Sequence, residues 1–391
     1  MDKTADYIVV GAGPVGLLTA LGIARTGASV LVLEADDKLN DSPRAMTYTD
    51  PTLQLMDRLG ILEACKAIAI HNRHINFVWP NDDLVVTIDT MKAEPERLHP
   101  ENLQFGQEAL GAVALEAMLK LPGTGIRFGH KLKALTQGEK HVTLTVDTPE
   151  GEQQLRAGFV VGCDGGSSTM RKLLGLEFEG HTWPERFIAT NLYYDFSARG
   201  WANVHMICSG PDWGLVAKIN NDRGGLWRVT FPEDPNRSMD EIEDRIHNYH
   251  YKRILPDDGD YEVQSWAPYR VHERTCPTYN VGRVTLAGDA AHICNPCGGR
   301  GLTGGIMDVD RLLTAIEAVQ TGADHDAEFT AYTKDRRTEF LEVSSPFASM
   351  MKAMWERSDP EAQKRDQDEI KKLSVGSSSI SLAGIKPRMR A

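Results

Sequence analysis

The residues best suited to chemistry are glycines and acids at fixed offsets. Gly11-Ala12-Gly13-Pro14-Val15-Gly16 lies between a short apolar run and an apolar segment of helical period. In such a turn Gly11 makes the tight bend, Gly13 lets a pyrophosphate approach the main chain, and Gly16 lets helix and sheet pack closely. The helix that follows Pro14 offers unpaired N–H groups and a positive dipole end to phosphate. Glu34 ends the next apolar run, 18 residues after Gly16, where a carboxylate can accept hydrogen bonds from the ribose of an adenosine. This is dinucleotide-binding chemistry, and the fingerprint alone does not separate FAD from NAD.

The elements that position these residues follow from periodicity. Asp6 to Val10 reads as a buried strand, Pro14 to Thr26 as a helix and Ser29 to Leu33 as a second strand, a β-α-β unit with parallel strands. Helices are expected near Thr52 to Leu59 and Gln107 to Leu119. Strands are expected near Ile75–Trp79, Leu84–Ile88, Ile126–Phe128, Leu132–Leu135, Val142–Val146 and Gly158 to Cys163. After Glu179 the pattern becomes aromatic-rich strands, interrupted by one helix from Met239 to His247 with a capping box at Ser238 and Glu241. Long helices at about Gly304–Val319 and Ala327–Arg357 finish the chain.

Two further stretches decide the cofactor. Gly162-Cys163-Asp164-Gly165 ends a strand, and Gly288-Asp289 follows another; the latter continues into Asn295-Pro296-Cys297-Gly298-Gly299-Arg300-Gly301-Leu302-Thr303. With the first fingerprint, in this order, the chain resembles the single-component FAD-dependent aromatic hydroxylases of the p-hydroxybenzoate hydroxylase type over nearly its whole length. The resemblance implies that Glu34 binds the ribose of FAD, that Arg44 lies by the pyrophosphate and the nicotinamide route, and that Gln107 touches the flavin. It also places Asp164 near the pyrophosphate and Asp289 on the ribityl hydroxyls. A glycine-rich turn opening a helix, with Gly299, Gly301, Leu302 and Thr303, can present N–H groups to the anion of reduced flavin. Pro296, which lacks an N–H, offers a carbonyl near the reaction face. The chain departs from the family pattern at Thr303, where Asn is usual, at Asn295, where a proline is common, and at Asp308-Val309, where Asp-Ala is usual.

The activity implied is that of an NAD(P)H-dependent flavoprotein monooxygenase. NADPH or NADH, bound transiently, reduces the flavin; O2 then gives a C4a-hydroperoxide, and one oxygen atom passes to a small aromatic, phenolic substrate. Tyr193, His205 and Tyr269, with Pro296, are the catalytic candidates; Tyr194, Trp213, Arg228, His272 and His292 are further positions of interest, chosen by location. The same fold could instead carry epoxidation or oxidative rearrangement. A flavin electron-transfer protein is another alternative, as is a dithiol reductase using Cys294 and Cys297. No second Cys/His pair completes a zinc set around those thiols, so no metal is expected.

Composition bounds the rest. The chain has 391 residues and a net charge of −12, which disfavours nucleic acid and anionic membranes as partners. No apolar run approaches the roughly 20 residues that span a bilayer. Six cysteines without a secretion signal suit a reducing cytoplasm. The expected class is α/β: a Rossmann-like FAD-binding domain of residues 1–180 and 275–373, with an inserted mixed or antiparallel sheet layer of residues 181–274 that binds substrate, and C-terminal helices. Residues 72–100 contribute to that layer, and 374–391 form a mobile tail. A homodimer is left open.

Overall fold

The computed structural model describes residues 4–40, 45–255 and 259–376. Ala5–Val10 is a buried strand, Pro14–Arg25 the helix after it and Val30–Leu33 the next strand. The sheet they found runs in the order Asn280–Val281, Val284–Leu286, Gly151–Gly162, Ala5–Val10, Val30–Leu33, Thr124–Arg127. Along this order every pair is parallel except the first; Val142–Thr148 and Lys131–Gln137 extend the sheet from Gly151–Gly162 as antiparallel strands. The register brings the carboxyl ends level: Val10 lies opposite both Gly162 and Leu33, and Gly162 lies opposite Leu286. A ligand of an open parallel sheet binds at such an edge. Helices Gln107–Leu119 and Arg300–Gln320 both pack against Pro14–Arg25.

The second sheet is longer and mixed. Its order is His292–Ile293, Glu262–Thr275, Glu179–Tyr193, Leu226–Glu233, Gly214–Asn220, Val204–Ile207, His74–Trp79, Leu84–Asp89. Only the Val204–Ile207 and His74–Trp79 pair is parallel; the others are antiparallel. Strand alternation gives it two different faces. Ile188, Leu192, Trp227, Val229 and Phe231 pack under the helix Met239–Arg245, whose capping box is formed by Ser238 and Glu241. Phe187, Phe77, Trp79, Ala217 and Val271 pack on the other side with Cys297 and with Met351 and Trp355 of the C-terminal helices. A third sheet, Thr47–Tyr48, Asn102–Gln104 and Ile70–Asn72, lies beside Gly214–Asn220.

The C-terminal helices differ from the sequence reading. The expected span 327–357 is divided into His325–Glu339, a wider π-type turn at Phe340–Ser344, and Ser345–Glu356. Pro346 lacks the N–H that an uninterrupted ladder needs. A further helix, Pro360–Ser374, starts from an Asp359 cap and a first-turn proline, and packs on Leu84–Asp89. Of the tail expected from residue 374, Ser374 closes this helix, and 377–391 lie outside the described residues. No described helix is long and apolar enough to cross a membrane.

Candidate active site

The three glycine and aspartate motifs begin where the parallel strands stop. Gly11 N–H donates to Leu33, Cys163 N–H to Val10 and Ala287 N–H to Gly162, so the ladder runs into all three turns. Gly11 has φ +105°, and a Cβ there would stand 2.4 Å from the Cys163 carbonyl oxygen; a Cβ on Gly16 would stand 2.0 Å from the Gly11 oxygen. These glycines are needed for close packing. Gly13, Gly165, Gly299 and Gly301 are different: a Cβ on any of them would meet nothing within 4 Å. Their main chains border open space, which is room for a diphosphate and a ring. Glu34 sits at the end of its strand; its carboxylate accepts from Ala12 N–H at 2.7 Å and Asp36 N–H at 3.1 Å. Pro14 is the first residue of the helix whose cap is Gly13. These residues fit an adenine dinucleotide laid across the strand ends.

Asp164 faces another helix. Its carboxylate accepts from Ser168 Oγ at 2.5 Å and Met170 N–H at 2.9 Å, bonds that order the turn into Thr169–Leu173. Asp289 is half-buried in the turn after Val284–Leu286. That turn is braced from behind: buried Asp308 accepts from Gly288 N–H at 2.8 Å, His292 Nε2 at 2.7 Å and Arg336 Nε at 2.7 Å. Burial alone would raise the Asp308 pKa, but His292 and Arg336 hold it below the usual carboxylate range. His292 is therefore a brace behind the cofactor turn. Gln107 opens its helix half-buried, and Arg44 lies outside the described residues.

The loop from Cys294 to Gly299 leads into the helix Arg300–Gln320. The Pro296 carbonyl accepts from Gly299 N–H at 3.1 Å, closing a turn. The first N–H groups of a helix have no partner within the helix, and this helix begins directly after its Gly299 cap. Thr303 stands one step deeper: its hydroxyl donates to the Gly299 carbonyl at 2.9 Å. Burial pushes the thiols of Cys294 and Cys297 well above their ordinary range, which disfavours the thiolate that disulfide exchange requires. Among the described residues no group of three or more His, Cys, Asp or Glu could hold a metal ion.

Opposite this loop, the second sheet presents a wall with one buried cation. Arg228 pairs with Asn191 across the strands, and its Nε donates to Asn191 Oδ1 at 3.0 Å. Burial lowers its pKa to about 10, so it stays charged at neutral pH; Tyr269, Glu108 and Tyr48 are near enough to oppose that shift. Tyr269 lies edge-on to Phe187 at 5.9 Å, and Phe187 lies edge-on to Trp213 at 4.8 Å. Burial, with Cys297 nearby, pushes the Tyr269 hydroxyl well up, so it serves as a donor and not as a base. The Tyr48 hydroxyl, buried and beside Arg228, has no hydrogen-bond partner among the described residues. Sequence reading missed Tyr48, which sits in a two-residue strand with no periodicity to mark it.

The remaining candidates do not gather here. His205 pairs with Val216 and faces the opposite side of the sheet, where it stacks on Trp201 at 4.2 Å; burial lowers its pKa to about 4. Tyr194 shares that outer layer. Tyr193 lies at the far end of its strand, under the Arg223 guanidinium at 4.1 Å, with its hydroxyl 3.4 Å from Gln264 Nε2. Trp213 donates to Glu356 at 3.3 Å and packs as core. His272 lies 2.9 Å from the Thr182 hydroxyl.

Comparison with known proteins places this geometry. Residues 4–343 match the family described as FAD binding domain. The chain is 37% identical over 378 residues to para-nitrophenol 4-monooxygenase of Pseudomonas sp. (strain WBC-3), covering 96% of this chain and 93% of that protein. It is 36% identical over 352 residues to 6-hydroxy-3-succinoylpyridine 3-monooxygenase of Pseudomonas putida (strain DSM 28022 / S16), covering 89% and 88%. The crystal structure of p-nitrophenol 4-monooxygenase from Pseudomonas putida DLL-E4 superposes with a TM-score of 0.91 at 37% identity, covering 96% of each chain. Aklavinone-11 hydroxylase, solved with FAD and aklavinone, superposes with a TM-score of 0.79 at 25% identity over 90% of this chain and 69% of that one.

Proposed function

Because the chain belongs to the FAD-binding-domain family and is an FAD-dependent aromatic monooxygenase, we propose that its substrate is a small phenol held as the phenolate against Arg228 and Tyr269, with NADPH or NADH as the transient reductant. FAD, when bound, supplies hydride acceptance and the activation of O2. Open space at Gly13, Gly165 and Gly301 supports room for its phosphates and ring; Glu34 would hold its ribose and Asp289 its ribityl chain. The N–H groups at the start of Arg300–Gln320 face negative charge that develops in the crevice.

The protein's own part is to bind, orient and dry the substrate. Arg228 is the observation that carries this reading: a buried cation, hydrogen-bonded in the described residues only to a neutral amide, lies on the cofactor side of the sheet. A cation there lowers the cost of a phenolate, and a phenolate ring is richer in electrons than the phenol. Tyr269 and Tyr48 keep their protons and can donate to ring substituents. Phe187, Trp213 and Trp355 form the apolar core behind Tyr269, which keeps water from that side.

The test is NAD(P)H oxidation and product analysis across a panel of phenols and hydroxypyridines, beginning with p-nitrophenol, the substrate named for a similar enzyme. One or more phenols should accelerate NAD(P)H oxidation and emerge hydroxylated. Arg228→Met should lower kcat/KM roughly 10- to 150-fold, the loss of a charged hydrogen bond of about 1.5–3 kcal/mol. Oxidation that no phenol accelerates, or an Arg228→Met enzyme with unchanged kcat/KM, would refute the reading.

A further inference from the structure

Asn295 stands where the resembling family commonly has proline, and the fold supplies a reason. Glu273, in Glu262–Thr275, is 6% exposed. Its Oε2 accepts from Asn295 N–H at 3.2 Å, from Asn295 Nδ2 at 2.9 Å and from Trp183 Nε1 at 3.4 Å. Asn295 is wholly buried, and its Oδ1 accepts from Cys297 N–H at 3.0 Å. One residue thus uses its main chain and both ends of its amide to join a buried acid to the loop that carries Pro296. The other side of the loop lies close against the C-terminal helices: a Cβ on Gly298 would stand 2.8 Å from the Phe347 ring.

A buried carboxylate is costly unless donors surround it. Proline at 295 would remove two of the three donors seen here, the main-chain N–H and the side-chain amide. Glu273 and Asn295 therefore depend on each other. We propose that Glu273 is a positioning residue: through Asn295 it fixes the Asn295–Gly299 loop, and hence Pro296 and the first turn of Arg300–Gln320, against FAD. The proposal rests on the crevice assigned above, so its test reads cofactor binding directly as well as turnover.

Glu273→Leu, Asn295→Pro and the double variant are compared by FAD titration of the apoprotein, by thermal unfolding of the apoprotein, and by H2O2 released per NAD(P)H oxidised. Each single change should raise the Kd for FAD about tenfold, the loss of roughly one charged hydrogen bond. Each should also raise the H2O2 fraction. The double variant should bind FAD more tightly than the product of the two single effects, because proline needs no acid to hold it and leucine needs no donor. Single variants that bind FAD like the wild type, single effects that simply multiply, or lower melting temperatures with unchanged Kd would each overturn the proposal. Should Glu273→Leu not fold, Glu273→Gln with Asn295→Ala reads the same coupling. If the panel above yields no hydroxylated phenol while the FAD coupling holds, it is the substrate reading that fails and not the clasp.

Discussion

Asp289 is the single side chain on which the proposed cofactor site is most simply tested. It stands in the first turn after a buried strand, level with Gly11 and Asp164 on neighbouring strands. Asp289→Ala should weaken FAD binding by about 1.5–3 kcal/mol, the worth of a charge-assisted hydrogen bond, which fluorescence titration of the apoprotein would show as a Kd roughly 10- to 150-fold higher. The placement of these turns at the strand ends was legible because tight backbone turns demand glycine at fixed offsets. His205 was not. Its strand was recognisable, but strand side chains alternate with period 2, so a one-residue difference in phase moves a side chain across the sheet. Only the partner layers decide the phase: Trp201 and the helix side claim His205, and the cofactor side receives Val204 and Cys208. Asn295, read from sequence as a mere departure from pattern, gains its meaning from Glu273, 22 residues away in another strand.

Among the elements, the β-α-β unit and the helix Gln107–Leu119 were readable because apolar periodicity and glycine punctuation agree there. The break at Phe340–Ser344 and the helix Pro360–Ser374 were not read, although Pro346 and the Asp359-Pro360 start are local signals of both. The outer layer of the second sheet is tied by charge. Glu233, in Leu226–Glu233, takes Arg237 at 3.0 Å, Arg245 at 2.7 Å and His250 at 3.0 Å. Burial opposes its ionisation, but Arg245, His250 and the Asp234 N–H outweigh burial and lower its pKa to about 2. A depressed carboxylate stabilises the fold above its unfolded pKa, and that stabilisation fades as pH falls through the folded value. The His250 pKa is also lowered, chiefly by burial, so protonating it in acid works in the same direction. Urea midpoints of the wild type should therefore fall between about pH 4.5 and about pH 2. Glu233→Gln should be less stable at pH 7 by about 1–3 kcal/mol and flatter across that acid window. A variant with the wild-type pH slope would show that Glu233 does not link the strand to its covering helix.

At the scale of the whole molecule, the parallel sheet offers a cofactor edge and the mixed sheet offers a wall, and the Cys294–Gly299 loop lies between them. The loop's Cys297 packs in one buried cluster with Phe187 and Trp355, so the loop is backed on that side by core and not by solvent. Such closure matters for an oxygen transfer that water would divert to peroxide. The most direct test is turnover under 18O2 in ordinary water with a phenol that accelerates NAD(P)H oxidation. A monooxygenase places one labelled oxygen atom in each molecule of hydroxylated product. Product carrying oxygen from water, or all consumed 18O2 recovered as peroxide, would contradict that expectation.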